Sequence, residues 1–343
     1  MLIVLIIAGA LWWWTGRKGW PTQPRLLLLG LLYVTVLALT LIPGPLRQLL
    51  GGSTGEWLVV GGIGALVAAY GLGLRRLRKR VRPENRPKEQ PTGTFAPGEL
   101  DRYARHVVLR EIGGTGQKRL KQARVLVVGA GGLGSPAMLY LAAAGVGTIG
   151  VIDDDQVEAT NLQRQVIHAD ARIGMPKVFS AEAAMKAVNP FVEVKPYHRR
   201  LDADIAGDLV ADYDLVLDGC DDFQTRQAVN AACVAAGVPL VSGALSPWEG
   251  QVSVFEGRGD VPCYACVFPK APAPGQSATC AEAGVLGPLP GIIGSMMASE
   301  AVKVLTGAGE PLRGRMAIHD ALYVENRTIT LSRRADCAVC GKT

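Results

Sequence analysis

The sequence carries almost no excess of charge outside one short segment. Its net charge of +6 equals the charge of six basic residues within eight positions: Arg75, Arg76, Arg78, Lys79, Arg80 and Arg82. The rest of the chain is therefore balanced. Proteins that bind nucleic acid usually present a basic patch or stripe, so nucleic acid is not indicated as a partner. The cluster looks instead like a membrane-topology signal.

The start of the chain lacks the features of a cleaved signal peptide. No basic residue precedes the first apolar run, and no small-residue cleavage site lies near Trp14. Three apolar stretches nevertheless open the sequence, at residues 2–14, 26–42 and 57–74. A helix that spans a bilayer needs roughly 17–25 mostly apolar residues. These lengths predict an anchor of two to three transmembrane helices.

The basic residues predict how such an anchor would be oriented. Arg17, Lys18 and Arg25 lie between the first and second stretches, and only Arg47 lies between the second and third. Loops rich in Lys and Arg stay on the cytoplasmic side of a membrane. We therefore expect a protein of the inner (cytoplasmic) membrane, with its N-terminus outside and residues 75–343 in the cytoplasm.

The pattern changes near residue 100 to that of an α/β domain. Residues 83–99 are rich in proline and polar side chains, which predicts a linker between an anchor over 1–82 and a domain over 100–343. The predicted fold is Rossmann-like, with a mostly parallel sheet that continues into antiparallel strands. Parallel strands are expected at 124–128, 148–152, 214–217 and 239–242, a helix at 135–144, and antiparallel strands at 251–255 and within 316–331.

A glycine-rich turn follows the first predicted strand and opens a helix. Gly129, Gly131 and Gly134 give the spacing G-x-G-x-x-G, in which backbone N–H groups and a helix N-terminus approach phosphate closely. Asp153 ends the next strand about twenty residues later, where a carboxylate accepts hydrogen bonds from ribose. These features predict a nucleotide site. By themselves they leave an NAD-dependent dehydrogenase as an alternative.

Charged residues further along favour ATP. Arg164 and Lys177 supply two cations near the pyrophosphate, which suggests a third phosphate to neutralise. Asp221 and Asp222 follow a strand that ends at Asp218, at the edge where open α/β sheets bind ligands. A carboxylate there suits Mg²⁺ that bridges phosphates.

Four of the seven cysteines form two C-x-x-C pairs, Cys263 with Cys266 and Cys337 with Cys340. Four thiolates are enough for a closed tetrahedral Zn²⁺ site, which would pin two distant segments together. Four unligated thiols are the alternative at this point. Cys220 and Cys233 are expected to be buried structural residues.

Several longer motifs occur together, in this order: RYARHVVL, GQKRLKQARVLVVGAGGLGSP, GVGTIGVIDDDQVEATNLQRQVIH, GMPKV, DLVLDGCDDFQTR, PLVSGA, EGQVSVF, CYAC, ATCAEAGVLGPLPGIIGSMMASEAVK and CAVCG. From about residue 100 onward the chain resembles the E1-like adenylyltransferases, most closely the bacterial molybdopterin-synthase and thiazole-biosynthesis types. The resemblance implies a homodimer that uses ATP, Mg²⁺ and Zn²⁺. Its substrate would be a ubiquitin-like sulfur-carrier protein that ends in Gly-Gly, whose terminal carboxylate is adenylated with release of pyrophosphate.

The resemblance also implies roles for individual residues. The nucleotide-binding residues would be Gly129, Gly131, Gly132, Gly134, Asp153, Asn161, Gln163, Arg164, Lys177, Asp221 and Asp222. Asp221 would coordinate Mg²⁺, and Arg105 would reach the site of the neighbouring subunit. Cys280 matches a cysteine that some relatives bond covalently to the carrier. One departure is Asp222, where molybdopterin-type members commonly have Asn.

The expected chemistry needs no general base, because a carboxylate nucleophile is already ionised at neutral pH. The four histidines therefore receive no catalytic role. No rhodanese-like domain follows Cys340, so a separate sulfur donor is expected. The alternatives are a membrane-associated tRNA-modifying dehydratase of the same family, a non-catalytic membrane scaffold with the same fold, and NAD-dependent redox chemistry.

Overall fold

The computed structural model describes residues 2–18, 22–42, 53–81, 94–271 and 284–341. Two compact units make up the chain, Met1–Glu89 and Gln90–Thr343. Most of the predicted linker and Cys280 lie outside the described residues.

The described part of the first unit is helical. Its described helices are α1 (Leu2–Arg17), α2 (Thr22–Thr40) and α3 (Thr54–Val81). A small buried cluster joins Val4, Val36 and Trp57, and the Tyr33 hydroxyl donates a hydrogen bond to the Trp57 carbonyl at 2.8 Å. Each helix thus contributes one buried side chain to this contact.

None of the described helices is both long enough and apolar enough to cross a membrane. The predicted transmembrane spans at 2–14, 26–42 and 57–74 are therefore wrong, and so is the inner-membrane location with an outside N-terminus that rested on them. Helix α1 has 16 residues and rises about 24 Å, less than the roughly 30 Å of a hydrocarbon core. Helix α2 opens on the polar turn 22–25, and α3 carries Glu56 in its first turn.

The second unit is built on one eight-stranded sheet with the order β3-β2-β1-β4-β5-β6-β7-β8. The first five strands are parallel, and β5 to β8 pair in antiparallel fashion. The Rossmann-like fold predicted from the sequence is confirmed. The strands are β1 (Arg124–Val128), β2 (Thr148–Ile152), β3 (Glu193–Tyr197), β4 (Leu215–Asp218), β5 (Leu240–Leu245), β6 (Glu249–Phe255), β7 (Arg315–Asp320) and β8 (Glu325–Thr330).

Helices cover both faces of this sheet. Side chains alternate along β1, so that Val125 and Val127 join one apolar core while Leu126 and Val128 join the other. Such burial on both faces is typical of parallel strands. The helices are α4 (Ala104–Val107), α5 (Gly113–Gln122), α6 (Gly134–Ala144), α7 (Lys177–Val188), α8 (Ala203–Ala211), α9 (Phe223–Ala236), α10 (Tyr264–Val267) and α11 (Leu289–Thr306).

Strand β3 was missed by the sequence pattern because it contains Pro196. Proline cannot donate to a ladder hydrogen bond, so it is confined to edge strands. In the sheet, β3 is an edge strand and Pro196 lies opposite Val151 of β2. An internal strand could not have carried this residue.

The strand order fixes where a ligand can bind. The chain leaves β1 to form β2 and β3 on one side, then returns to place β4 on the other side of β1. This reversal is a topological switch point, and ligands of open α/β sheets bind in the crevice outside the carboxyl ends of the strands there.

Candidate functional site

The glycine-rich loop lies at this switch point, between β1 and α6. Gly129 has a positive φ of 93°, and a Cβ on Gly134 would lie 2.0 Å from the Gly129 carbonyl oxygen. Only glycine allows this close fold. Among the described residues, no acceptor binds the backbone N–H of Gly131 or Gly132, so both groups are free to bind an anion.

Asp153 directly follows β2 and is tied to the glycine loop. Its two carboxylate oxygens accept hydrogen bonds from the N–H groups of Ala130, at 2.7 Å, and Asp155, at 2.8 Å. Burial raises the pKa of the Asp153 carboxyl group. Each oxygen keeps a second lone pair, so the carboxylate can still accept from a ligand hydroxyl.

His168 supports the same loop and was not given this role from the sequence. Its Nε2 lies 2.9 Å from the Ala130 carbonyl oxygen, and its Nδ1 lies 2.9 Å from the Ser180 hydroxyl. A carbonyl oxygen only accepts, so Nε2 carries the hydrogen. Burial lowers the pKa of His168, which favours the neutral ring. The position of His168, four residues after Arg164, was the available sequence signal.

Two cationic side chains lie near the loop. Lys177 begins α7 and is only 6% exposed, with its Nζ 2.7 Å from a carboxylate oxygen of Asp155. Arg164 is held by a hydrogen bond from Nη1 to the Thr160 carbonyl at 3.1 Å. A Cβ on Gly132 would lie 3.9 Å from Cγ of Arg164, so the stem of this arginine runs beside the glycine loop.

The other polar residues of the NLQRQ segment differ in their burial and in the segments that they contact. Asn161 is buried and its Nδ2 donates to the Thr160 hydroxyl at 3.4 Å. Gln163 lies against the segment before α11, since a Cβ on Gly287 would be 2.7 Å from its Oε1. Gln165 is buried beside Gly131, and its Oε1 has no hydrogen-bond partner in the described part of the chain.

The two carboxylates after β4 have different environments. Asp222 caps α9, with its carboxylate accepting from the Thr225 backbone N–H at 2.8 Å and hydroxyl at 2.7 Å. It also pairs with Arg200 at 3.1 Å. Burial alone would raise the pKa of Asp222, but these hydrogen bonds lower it. Asp221 is exposed, and within the described residues its carboxylate has no hydrogen bond or ion pair.

Cys220 lies in the same turn but is not a reactive thiol. Its Sγ lies 2.8 Å from an Asp218 carboxylate oxygen, to which the thiol donates. Burial and the neighbouring Asp218 charge raise the pKa of Cys220 well above its usual value. The thiolate, which is the nucleophilic form, is therefore disfavoured.

Arg105 is distant from the glycine loop of its own chain. It lies on α4 and lines a shallow surface cavity of about 130 Å³ together with Tyr140 and Ala144. Ala144 ends α6, whereas the glycine loop lies at the beginning of that helix. The 11 residues of α6 separate the two by about 15 Å. The Arg105 side chain is exposed and makes no hydrogen bond to any described residue.

The four cysteines predicted as metal ligands converge in a buried cluster. The sulfur of Cys263 lies 3.9 Å from that of Cys266 and 3.6 Å from that of Cys337, and Cys266 lies 3.4 Å from Cys340. Four thiolates at 2.3 Å from a tetrahedral Zn²⁺ would be about 3.8 Å apart. The spacing therefore fits a closed Zn²⁺ site, and all four residues are buried.

A glycine loop that follows β1 at a switch point, with polar side chains at the carboxyl ends of β2 and β4, defines an α/β nucleotide-binding protein. The buried cysteine cluster is a second feature of the same unit. Asp153, Arg164 and Lys177 come together around the loop, and Asp221 lies one strand away.

Comparisons with known proteins define the class further. The model of the ThiF family matches residues 103–339, and the chain belongs to this family. It is 49% identical to the "Sulfur carrier protein adenylyltransferase" of Thermus thermophilus, over 71% of this chain and 91% of that protein. It is 48% identical to the "SAMP-activating enzyme E1" of Haloferax volcanii, over 71% and 90% of the two chains. The E1-like family predicted from the motifs is confirmed.

A solved structure shows the same fold. The crystal structure of Escherichia coli MccB with ATP covers 70% of this chain and 73% of its own, with a TM-score of 0.62 and 23% sequence identity. At this identity the similarity concerns the fold alone.

Proposed function

We propose that this protein uses ATP to adenylate the C-terminal glycine carboxylate of a ubiquitin-like sulfur-carrier protein, with release of pyrophosphate. The names of two relatives that match most of their own length, a sulfur carrier protein adenylyltransferase and a SAMP-activating enzyme E1, support this activity. The observation that carries the proposal is the switch-point crevice itself. Two cations surround it, with backbone N–H groups and a carboxylate that have no partner in the described part of the chain, as a metal-bound triphosphate requires.

Each residue contributes a distinct contact in this proposal. The N–H groups of Gly131 and Gly132 bind phosphate oxygens, and Gly129 and Gly134 allow the loop to fold. Arg164 and Lys177 neutralise phosphate charge, with Asn161 and Gln163 beside them. Asp153 accepts from ribose hydroxyls. Asp222 holds the turn as the cap of α9 and pairs with Arg200.

The divalent cation is expected at Asp221. Its carboxylate is exposed, ionisable and free of partners among the described residues, and oxygen donors are those that Mg²⁺ prefers. When bound, Mg²⁺ neutralises charge on the phosphates.

The residues position the reactants and stabilise charge, without proton transfer. The carrier carboxylate is already ionised and attacks the α-phosphorus of ATP, with pyrophosphate as the leaving group. Lys177 and Arg164 are placed to stabilise the charge that develops on this group. Neutral His168 holds the loop in place and transfers no proton, since both its ring nitrogens are already bonded.

The cysteine cluster is proposed to bind one structural Zn²⁺ through Cys263, Cys266, Cys337 and Cys340. A closed four-thiolate site has no open coordination position for a substrate. Its role would be to join two segments distant in the chain. A covalent role for Cys280 stays a prediction, because this residue lies outside the described part of the chain.

The position of Arg105 supports a homodimer with shared sites. It is separated from its own glycine loop by the length of α6, so a partner subunit's crevice is the site it can serve. The symmetric contact of a two-fold dimer would then create two composite sites. Val108, 75% exposed, and the partly exposed Leu109 and Tyr140 supply apolar surface around this arginine.

The decisive test of the activity is ATP–pyrophosphate exchange with each candidate carrier protein from the same cell. Exchange that depends on one carrier and is lost with Asp221→Ala is the expected result. Exchange that needs no carrier, or adenylation of a carboxylate on tRNA, would instead favour the dehydratase alternative. Hydride transfer would favour NAD chemistry. No exchange with any carrier would favour the non-catalytic scaffold.

The shared site is tested by mixing two inactive variants. Arg105→Ala and Asp221→Ala should each lose on the order of 10²–10³ in rate. After subunit exchange, a mixed dimer has one site with both native residues, and random assortment restores roughly a quarter of all sites. Exchange activity that stays at background after verified mixing would show that Arg105 does not act across an interface.

A further inference from the structure

Arg226 ends the DLVLDGCDDFQTR motif, but neither the sequence analysis nor the proposed mechanism gives this buried cation a role. It lies on α9 and is 7% exposed. Its Nη1 donates to an Asp218 carboxylate oxygen and to the Ser242 hydroxyl, each at 3.0 Å. Its Nη2 donates to the Gly243 carbonyl at 2.8 Å and to the Cys220 carbonyl. One guanidinium therefore links β4, β5, α9 and the turn after β4.

The ion pair between Arg226 and Asp218 is fully enclosed. Asp218 is completely buried and also accepts from the Ser242 hydroxyl, at 3.0 Å, and from the Cys220 backbone N–H, at 3.1 Å. Burial alone would lower the pKa of Arg226, but the Asp218 charge raises it. Two buried charges are costly to desolvate. Packing alone therefore does not explain why a fully hydrogen-bonded ion pair is buried at this place.

The partners of this pair converge on the backbone that precedes Asp221. The Gly219 N–H donates to the Val128 carbonyl at 3.0 Å, and both polar backbone groups of Cys220 are bound, its N–H by Asp218 and its C=O by Arg226. On the other side, Asp222 is fixed as the cap of α9. Asp221 alone in this turn has a side chain without partners among the described residues.

The geometry points to Arg226 as a positioning residue that holds the peptide between Cys220 and Asp221, and so aims the Asp221 carboxylate at the divalent cation of the nucleotide. This inference rests on the proposed function for the identity of that cation. A guanidinium suits the task because its planar fork binds several acceptors in fixed directions, which an ammonium group cannot do. Arg226 touches neither substrate nor cation.

The test measures Mn²⁺ binding to the protein with ATP present and no carrier, by electron paramagnetic resonance of free Mn²⁺. Arg226→Lys keeps the positive charge beside Asp218 but loses the fork. We expect the Kd for Mn²⁺ to rise about tenfold while the affinity for metal-free ATP changes less than twofold. Gln227→Ala is the matched control, because this neighbour on α9 donates to the Phe268 carbonyl at 2.7 Å instead.

A double-mutant cycle separates positioning from a general loss of structure. If Arg226 acts through Asp221, Arg226→Lys should add nothing to the defect of Asp221→Asn. Full additivity of the two defects, or native Mn²⁺ binding by folded Arg226→Lys, would overturn the inference.

A second variant covers the case in which Arg226→Lys does not fold. Asp218→Asn combined with Arg226→Gln removes both charges together, which costs far less than leaving one buried charge unpaired. It should show the same weakening of Mn²⁺ binding, and native binding would refute the inference. The Mn²⁺ measurement needs no carrier, so it tests the inference separately from the proposed function. If the native protein binds Mn²⁺ with ATP but no carrier supports exchange, the proposed function is refuted and the inference is not.

Discussion

The crevice at the switch point and the cysteine cluster are two sites of one unit with opposite designs. In the crevice, several polar groups have no partner among the residues that the structure describes, including the N–H groups of Gly131 and Gly132 and the carboxylate of Asp221. The cluster is closed, with its four sulfurs packed against each other. Unpaired groups at a partly exposed edge suit a ligand that comes and goes. Four enclosed thiols suit an ion that stays, and this comparison predicts different consequences of mutation.

The largest effect on folding is expected at the closed site. Cys337→Ser should reduce bound zinc from one ion per chain to almost none and lower the free energy of unfolding by about 4 kcal/mol or more, since metal binding to such a site is folding free energy. Metal analysis and chemical denaturation measure the two effects. Cys233→Ala, at a buried cysteine outside the cluster, should keep its zinc. A full complement of zinc in Cys337→Ser would contradict the prediction that the cysteine cluster is a closed zinc site.

A smaller effect, confined to the open site, is expected at Gly134. A Cβ at this position would lie 2.0 Å from the Gly129 carbonyl oxygen, so Gly134→Ala must displace the loop. Misplacement by about 1 Å can cost 10²-fold in rate, and we expect a loss of this order in kcat/KM for ATP with zinc content unchanged. Gly114→Ala on α5 meets no atom within 4 Å and should be nearly silent. Equal activities of the two variants would contradict the tight-loop geometry.

The smallest effect is a pH dependence of the free energy of unfolding that arises from His168. It bears on the comparison of the two sites because His168 supports the glycine loop of the open site. Burial lowers its pKa, so the unfolded chain binds a proton at a higher pH than the folded one. The stabilisation is complete above the ordinary histidine value of about 6.5 and is lost as the pH falls through the lowered folded value. The free energy of unfolding falls by about 1.4 kcal/mol for each pH unit between the unfolded and the folded pKa of His168.

Unfolding by urea between pH 5 and 7 measures this dependence. His168→Asn should remove part of the slope, whereas His319→Asn, on β7, should leave the part due to His168 intact. An unchanged slope in His168→Asn would show that the buried ring does not govern acid stability.

Prediction from the sequence succeeded for features that depend on residues close together in the chain. The strands at 124–128 and 148–152 have the predicted bounds, because short runs of β-branched and aliphatic residues between turn residues are typical of buried parallel strands. The four cysteines of the two C-x-x-C pairs converge as predicted, although their spacing alone left four unligated thiols as an alternative. The antiparallel strands at the end of the sheet are likewise present.

The first transmembrane span was predicted wrongly because an apolar run does not report the length of the helix that contains it. Helix α1 includes the whole first stretch and still has only 16 residues. The roles of His168 and Arg226 were missed for a related reason. Both residues stand at the end of a longer motif, but their hydrogen-bond partners Ala130 and Gly243 lie in other segments of the chain, which the motif does not name.

The sequence by itself determined the alternation of strands and helices, the glycine loop and the two cysteine pairs, since each depends on residues close together in the chain. Only the tertiary structure decided that Asp222 caps a helix while Asp221 stays free, and that Arg105 lies a helix length from its own loop. These facts depend on which chain segments the sheet brings side by side. Burial and partner choice follow from that packing, and no local pattern encodes them.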